Sequence, residues 1–216
     1  YVSNKFGIKR YTSQQNLSSE SDLIIAFTPP ENQFEVLDKV SKFADNILIE
    51  TPVLDNRVLS IQNANICVSE QWPFLPLEQF KRLYVDKGIV DIPFYAHNDC
   101  RSFDYHAIAQ LRSYIGRDLA PISAYGNGIG IRSPRYIDKN GNEKSNENEF
   151  WDIGQVKFNN GAVISHSFSY ACKISPFRSL QTLRFYSRNG TIISGKKDDK
   201  ENDYEIVDVR YVNSDG

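Results

Sequence analysis

A chain of 216 residues with 40% hydrophobic and 24% charged side chains has room for one large domain or two small ones, and the composition of an ordinary globular protein. Its formal net charge of −2 gives no electrostatic reason to expect nucleic acid or an anionic membrane as a partner. No run approaches the roughly 18 apolar residues of a membrane span and no charged-then-apolar leader opens the chain, so a cytoplasmic protein is expected.

Residues 1–21 are polar and turn-rich, the expected tail of a preceding βα unit. Asp22 to Phe27 is a short apolar run, the pattern of a strand buried on both faces. Thr28-Pro29-Pro30 ends it and can open a helix. Phe34, Val36, Leu37, Val40 and Phe43 then recur at helical spacing, and Asn46 to Ile49 is a second apolar run closed by Glu50-Thr51-Pro52. Two strands joined by a helix predict parallel pairing in a doubly wound sheet, whose ligands sit at the carboxyl ends of the strands. Those ends are Thr28 and Pro29, Glu50 and Thr51, and, after a third strand within 64–71, Glu70 and Gln71.

Trp72-Pro73-Phe74-Leu75-Pro76 is a stiff connection, because two prolines forbid a continuing helix. A domain boundary is placed there, between residues 1–72 and 73–216. Helix 77–87, a strand from Ile89 to Ala96 and helix 102–115 follow. From residue 121 the pattern turns to strands: Ile122 to Ile131, Trp151 to Phe158, Ala162 to Ala171, Ser179 to Tyr186 and Thr191 to Ser194. Asn159-Asn160-Gly161 and Arg188-Asn189-Gly190 read as hairpin turns. Residues 138–149 and 196–203 read as charged loops too polar to pack. The second part is thus expected to be one antiparallel sheet with helices on one face.

Among the candidate chemical groups, His106 stands out. Its helix carries an apolar stripe through Phe103, Ala107, Ile108, Leu111, Tyr114 and Ile115, and His106 lies roughly 120° from the centre of that stripe. It is off the core-facing side, where it is either a flank residue without a role or an acid–base group. Tyr105 on a neighbouring face can orient a hydroxyl, and Arg112 reads as structural. Gly126-Asn127-Gly128-Ile129-Gly130 has no strand-to-helix turn around it and reads as a strand or bulge. His97, Asp99 and Cys100 lie close together, but no second cluster completes a metal site. His166 between Ser165 and Ser167 alternates away from both serines along a strand, and no nucleophile elbow is present. Cys67, Cys100 and Cys172 are odd in number and widely spaced, so reduced thiols are expected.

The strand ending in Thr28-Pro29, the helix after it and the strand ending in Glu50-Thr51-Pro52 resemble the glucose-fructose oxidoreductase/inositol dehydrogenase family. Residues 64–71, 77–88 and 105–116 resemble, in order, its last nucleotide-domain strand, the helix after it and its His-bearing helix. The resemblance implies an NAD- or NADP-dependent oxidoreductase acting on a sugar, polyol or related carbohydrate. It implies His106 as the catalytic group, Thr51 and Tyr105 against substrate, and Thr28, Pro29, Glu50 and Gln71 against the cofactor. It also implies that residues 1–72 are the carboxyl-terminal part of a Rossmann-like nucleotide-binding domain and 73–216 a substrate-binding and oligomerisation domain that self-associates through its sheet; no metal is expected, since no second ligand cluster is present. The chain departs from the family at three places. No glycine-rich turn precedes Leu23, and with no methionine anywhere the chain is expected to continue upstream. Thr51 stands where the family has lysine, and Ser102 stands four residues before His106 where the family has aspartate. The alternative is therefore a relative that kept the fold and binds sugar or nucleotide without turning it over.

Overall fold

The computed structural model describes residues 5, 7, 9–102, 104–131, 136–137, 142–144, 149–169, 181–198 and 203–212. The chain divides into two compact units, Tyr1–Glu70 and Gln71–Gly216.

The first unit opens with the short helix α1, Gln14–Ser19, whose amino end is capped by the Ser13 side chain. Strands β1 (Ile24–Ala26), β2 (Asn46–Ile49) and β3 (Asn65–Val68) form a parallel sheet in that order. Helix α2 (Gln33–Val40) connects β1 to β2, as the spacing predicts. A 3-10 helix, Asn56–Ser60, is the element between β2 and β3. Ile24, Ala26, Ile47 and Ile49 pack on Leu37, Val40, Ala44 and Val58 to make the core. This corrects the expectation that β1 is buried on both faces. Its other face is open: Ile25 is 51% and Phe27 73% exposed, because α2 and the 3-10 helix cover only one side. Phe43, expected in the apolar stripe, is also exposed.

In the second unit, α3 (Pro76–Asp86) begins on Pro76, where a missing N–H costs nothing, and α4 spans Asp104–Ile115. Its seven-stranded sheet has the order β12-β11-β10-β4-β9-β8-β5. These strands are β4 (Tyr95–Asp99), β5 (Pro121–Ile131), β8 (Glu149–Phe158), β9 (Val163–Phe168), β10 (Thr182–Tyr186), β11 (Gly190–Asp198) and β12 (Asp203–Tyr211). All neighbours are antiparallel except β4 and β9. A small hairpin pairs β6 (Tyr136–Ile137) with β7 (Glu143–Lys144), inside one of the expected loops. Both helices lie on one face, where Leu111, Tyr114 and Ile115 pack with Ala96, Phe158, Ile164, Leu183, Phe185 and Ile192.

Three further expectations change. The strand expected from Ile89 starts only at Tyr95, after Pro93, a residue that cannot donate to a ladder. The charged segment 196–203 is in part a hairpin: Lys196 pairs with Glu205 and Asp198 with Asp203, so β12 was missed. Cys100 is disulfide-bonded, against the expectation of reduced thiols, while Cys67 is free. The two Asn-Gly turns join β8 to β9 and β10 to β11. Gly161 takes φ +86°, whereas Gly190 is needed for close approach, since a Cβ there would lie 2.6 Å from the Arg210 carbonyl oxygen.

Candidate functional site

In the first unit, the parallel strands direct three short segments to one end of the sheet. Leaving β1, Thr28 has a buried hydroxyl with no hydrogen-bond partner. Leaving β2, Glu50 accepts from its neighbour, Thr51 N and Thr51 Oγ1 both lying 3.1 Å from Glu50 Oε1. Gln33, the first residue of α2, is fully buried; its Nε2 donates to the Glu50 carbonyl at 2.9 Å, and its Oε1 has no partner. Buried polar atoms are paired in the great majority of cases, and these two orphans lie at the edge where the parallel strands end, the edge at which doubly wound sheets bind ligands. Beside them Pro30, Glu31, Leu54, Asp55, Asn56 and Arg57 line a cleft of about 540 Å³. Arg57 is held there by Asp55, 2.6 Å away, and lies 4.1 Å over the Phe34 ring. Thr28, Glu50 and Thr51 share this edge, while Pro29 precedes the 3-10 turn Pro30–Asn32. Gln71 belongs to the second unit, where its carbonyl accepts from Phe74 N at 2.9 Å. The residues fit the polar groups of a nicotinamide dinucleotide at the strand ends. No positive-φ glycine among the described residues follows a strand of this sheet, so they supply no phosphate turn.

In the second unit, His106 occupies the first turn of α4, half-buried, with its ring centroid 5.8 Å from Trp72 and 4.3 Å from Tyr105. Phe103, counted in the predicted stripe, lies outside the described residues. Arg112 closes the far end of the helix by donating to the carbonyls of Arg117 and Leu119. Ser102 does not face a substrate: it is fully buried, accepts from Asn98 Nδ2 at 2.8 Å and donates to Gln110 Oε1 at 3.2 Å. Asp104 lies near His166, 3.6 Å from its Nδ1.

The helix-free face of the sheet carries a polar row. His97 Nδ1 and the Tyr95 hydroxyl each lie 2.7 Å from Ser165 Oγ, and Ser167 Oγ donates to Asp99 at 2.6 Å. Burial pushes the His97 imidazole below its ordinary value despite Asp99 nearby. Among the described residues no cluster of His, Cys, Asp and Glu could hold a metal ion, and no helix is long and apolar enough to cross a membrane.

A buried ionic network was not foreseen. Lys81, fully buried, has its Nζ 2.6 Å from Glu78 Oε1, 3.5 Å from Glu205 and 2.9 Å from Ser194 Oγ. Arg101 pairs with the same Glu205, and the Tyr114 hydroxyl donates to Glu78 Oε2 at 2.8 Å. Nothing in the helical spacing of 77–87 separates Lys81 from a solvated lysine; only the docking of Glu205, on the missed strand, does so.

A parallel sheet followed by an open mixed sheet with helices on one face is a fold shared with solved oxidoreductase structures. No family model and no curated protein matches the sequence. Among solved structures, UDP-N-acetylglucosamine 3-dehydrogenase GnnA from Acidithiobacillus ferrooxidans matches with a TM-score of 0.65 at 14% identity, over 98% of this chain and 72% of that one. Biliverdin reductase from Synechocystis sp., in complex with biliverdin and NADP+, matches at 0.61 and 14% identity, over 94% and 71%. A super-repressor mutant of Gal80p from Saccharomyces cerevisiae matches at 0.63 and 12% identity, over 99% and 68%. At these identities the likeness establishes the fold.

Proposed function

We propose that the protein is an NAD- or NADP-dependent oxidoreductase acting on the hydroxyl or carbonyl of a sugar, polyol or related carbohydrate. The observation that carries this reading is the pair of unsatisfied buried groups, Thr28 Oγ1 and Gln33 Oε1, at the carboxyl ends of parallel strands. Two solved structures of this fold carry names in keeping with it: a nucleotide-sugar dehydrogenase and a reductase in complex with NADP+.

The nicotinamide, when bound, supplies the hydride chemistry. The chain's own part is positional. Thr28 and Gln33 offer a hydroxyl and an amide oxygen to the ligand's polar groups. Glu50 holds the Thr51 hydroxyl through Oε1, which fixes the segment after β2. In this reading His106 takes the alcohol proton on an imidazole nitrogen in the oxidative direction and returns it in the reductive one. Tyr105 stands beside it to orient a hydroxyl. Self-association through the helix-free sheet face, residues 150–195, belongs to the same proposal. Sedimentation at micromolar concentration tests it, a dimer or larger species being expected and a monomer contradicting it.

Turnover of NAD+ and NADP+ against a panel of polyols and sugars tests the main reading. Replacing His106 by Ala is expected to lower turnover by about 10², the scale of a lost general acid–base, with nucleotide affinity unchanged. Parental turnover in that variant contradicts the assignment. One observation favours a second reading. Thr51, in the lysine position, spends its hydroxyl on Glu50 and cannot supply a cation. Nucleotide binding without turnover on any substrate would make the protein a binding or regulatory relative, a reading that fits a repressor of the same fold.

A further inference from the structure

On the helix side of the seven-stranded sheet, β5 and β8 carry Gly126, Gly128 and Gly154, and above them lies a cleft of about 510 Å³. The register alternates side chains between the faces. Gly126 is opposite Gly154, Gly154 opposite His166, and Gly128 opposite Asp152, so these five line the cleft from the helix side. Tyr125, Asn127, Ile153 and Gln155 fall on the alternate positions and contribute backbone. The titratable side chains in the cleft are therefore Asp104 from α4, Asp152 from β8 and His166 from β9, with Ile108, Ala124 and Val156 forming an apolar part.

His166 is only 7% exposed, yet its Nδ1 is buried with no hydrogen-bond partner. Asp104 Oδ1, at 3.6 Å, is too distant to satisfy it. The ring is held against bare backbone: a Cβ on Gly154 would lie 2.4 Å from His166 Nε2. Among the described residues no lysine or arginine lines the cleft. Burial keeps the imidazole below its ordinary value, although Asp104 and Asp152 oppose that shift. The cleft thus presents two aspartates and one orphan ring nitrogen, with no cation among the described residues.

We propose that this cleft binds a small molecule carrying a primary ammonium group on an apolar or ring-shaped body, with the ammonium held by Asp104, Asp152 and His166 Nδ1. An ammonium brings three donors to three acceptor groups and one positive charge to two negative ones. A neutral hydroxyl compound satisfies the acceptors but not the charge, and an anion adds to it. The site does not depend on the nucleotide reading, and nucleotide binding is measured separately.

The test is calorimetric titration of the protein with two matched pairs, glucosamine against glucose and n-butylamine against n-butanol, at millimolar concentration and neutral pH. At least one amine is expected to bind about tenfold or more tightly than its neutral partner, the scale of a charge-assisted hydrogen bond. The preference should vanish in Asp104→Asn/Asp152→Asn and shrink in Asp152→Asn alone, with melting temperatures at the parental value. In the parent, the His166 ring nitrogen signals should shift on amine addition. Equal binding within both pairs, no amine binding, or an undiminished preference in either variant overturns the proposal.

Discussion

Two groups of charged side chains lie on the helix side of the same sheet and have opposite characters. Around Lys81 each charged group has an opposite partner: Glu78, Glu205, Arg101, Ser194 and the Tyr114 hydroxyl form a network with Lys81 at 0% exposure, in which Arg101 Nε alone has no hydrogen-bond partner among the described residues. Burial and the neighbouring Glu78 carboxylate push the Tyr114 phenol far above its ordinary value, so it stays a donor. Around His166 there are two carboxylates, an orphan nitrogen and an open cleft. The difference teaches how to read charge in this fold. A network of paired charges holds helix to sheet, whereas unpaired groups beside an open cleft make a candidate binding site.

The comparison breaks most visibly at Lys81. Replacing it by Ala leaves Glu78 buried without its cation and is expected to cost about 3–5 kcal/mol. Urea unfolding measures this, and a loss under about 1 kcal/mol would make the network ornamental. Next in size is Gly154→Ala, whose methyl collides with the His166 ring and is expected to cost roughly 1–3 kcal/mol as an overpacked site. Adding His166→Ala in the same chain should recover much of that loss, because the colliding atoms are gone. Strict additivity of the two changes would show that the ring does not rest on Gly154.

A smaller effect is written in pH. Burial lowers both His166 and His97 from their ordinary value of 6.5, so each binds a proton more readily unfolded than folded. Stability is full above about pH 6.5 and declines as pH falls through the folded-state values. The urea midpoint followed from pH 7.5 down to 5 should fall, and His166→Gln should flatten the slope. A midpoint that rises on acidification would reverse the assigned direction for both rings. Smallest of all, Asp152→Asn should change stability by no more than about 0.5 kcal/mol, since the carboxylate is only partly buried and has no cation to lose. A cost comparable to that at Lys81 would place Asp152 in the structural class instead.

The sequence revealed the parts whose physics is local. Apolar runs and helical spacing gave β1, α2 and β2, and Asn159-Asn160-Gly161 gave a hairpin. It did not reveal what depends on distant pairing. Residues 196–203 read as solvated charge, yet Lys196 stands in ladder register with Glu205 across a hairpin. Alternation along β9 placed His166 opposite the two serines, but only the register with β8 puts Gly154 against its ring. Thr28 was readable as a strand-end residue; that its hydroxyl is buried and unpaired was not, because that depends on how the chain folds around it. Gln33 was missed since a glutamine opening a helix gives no sign that its side chain reaches back to the Glu50 carbonyl.

The nucleotide reading rests on those strand ends, and Thr28 allows it to be tested without disturbing the fold. Replacing an unpaired buried hydroxyl by a methyl group is expected to leave stability unchanged or slightly higher. Calorimetric titration of NADH and NADPH into the parent and into Thr28→Val is the direct measurement. The account predicts saturable one-site binding of at least one dinucleotide by the parent, and an affinity lower by roughly three- to tenfold in a variant that melts no lower than the parent. Failure of both dinucleotides to bind the parent, or equal affinity in the variant, would contradict it.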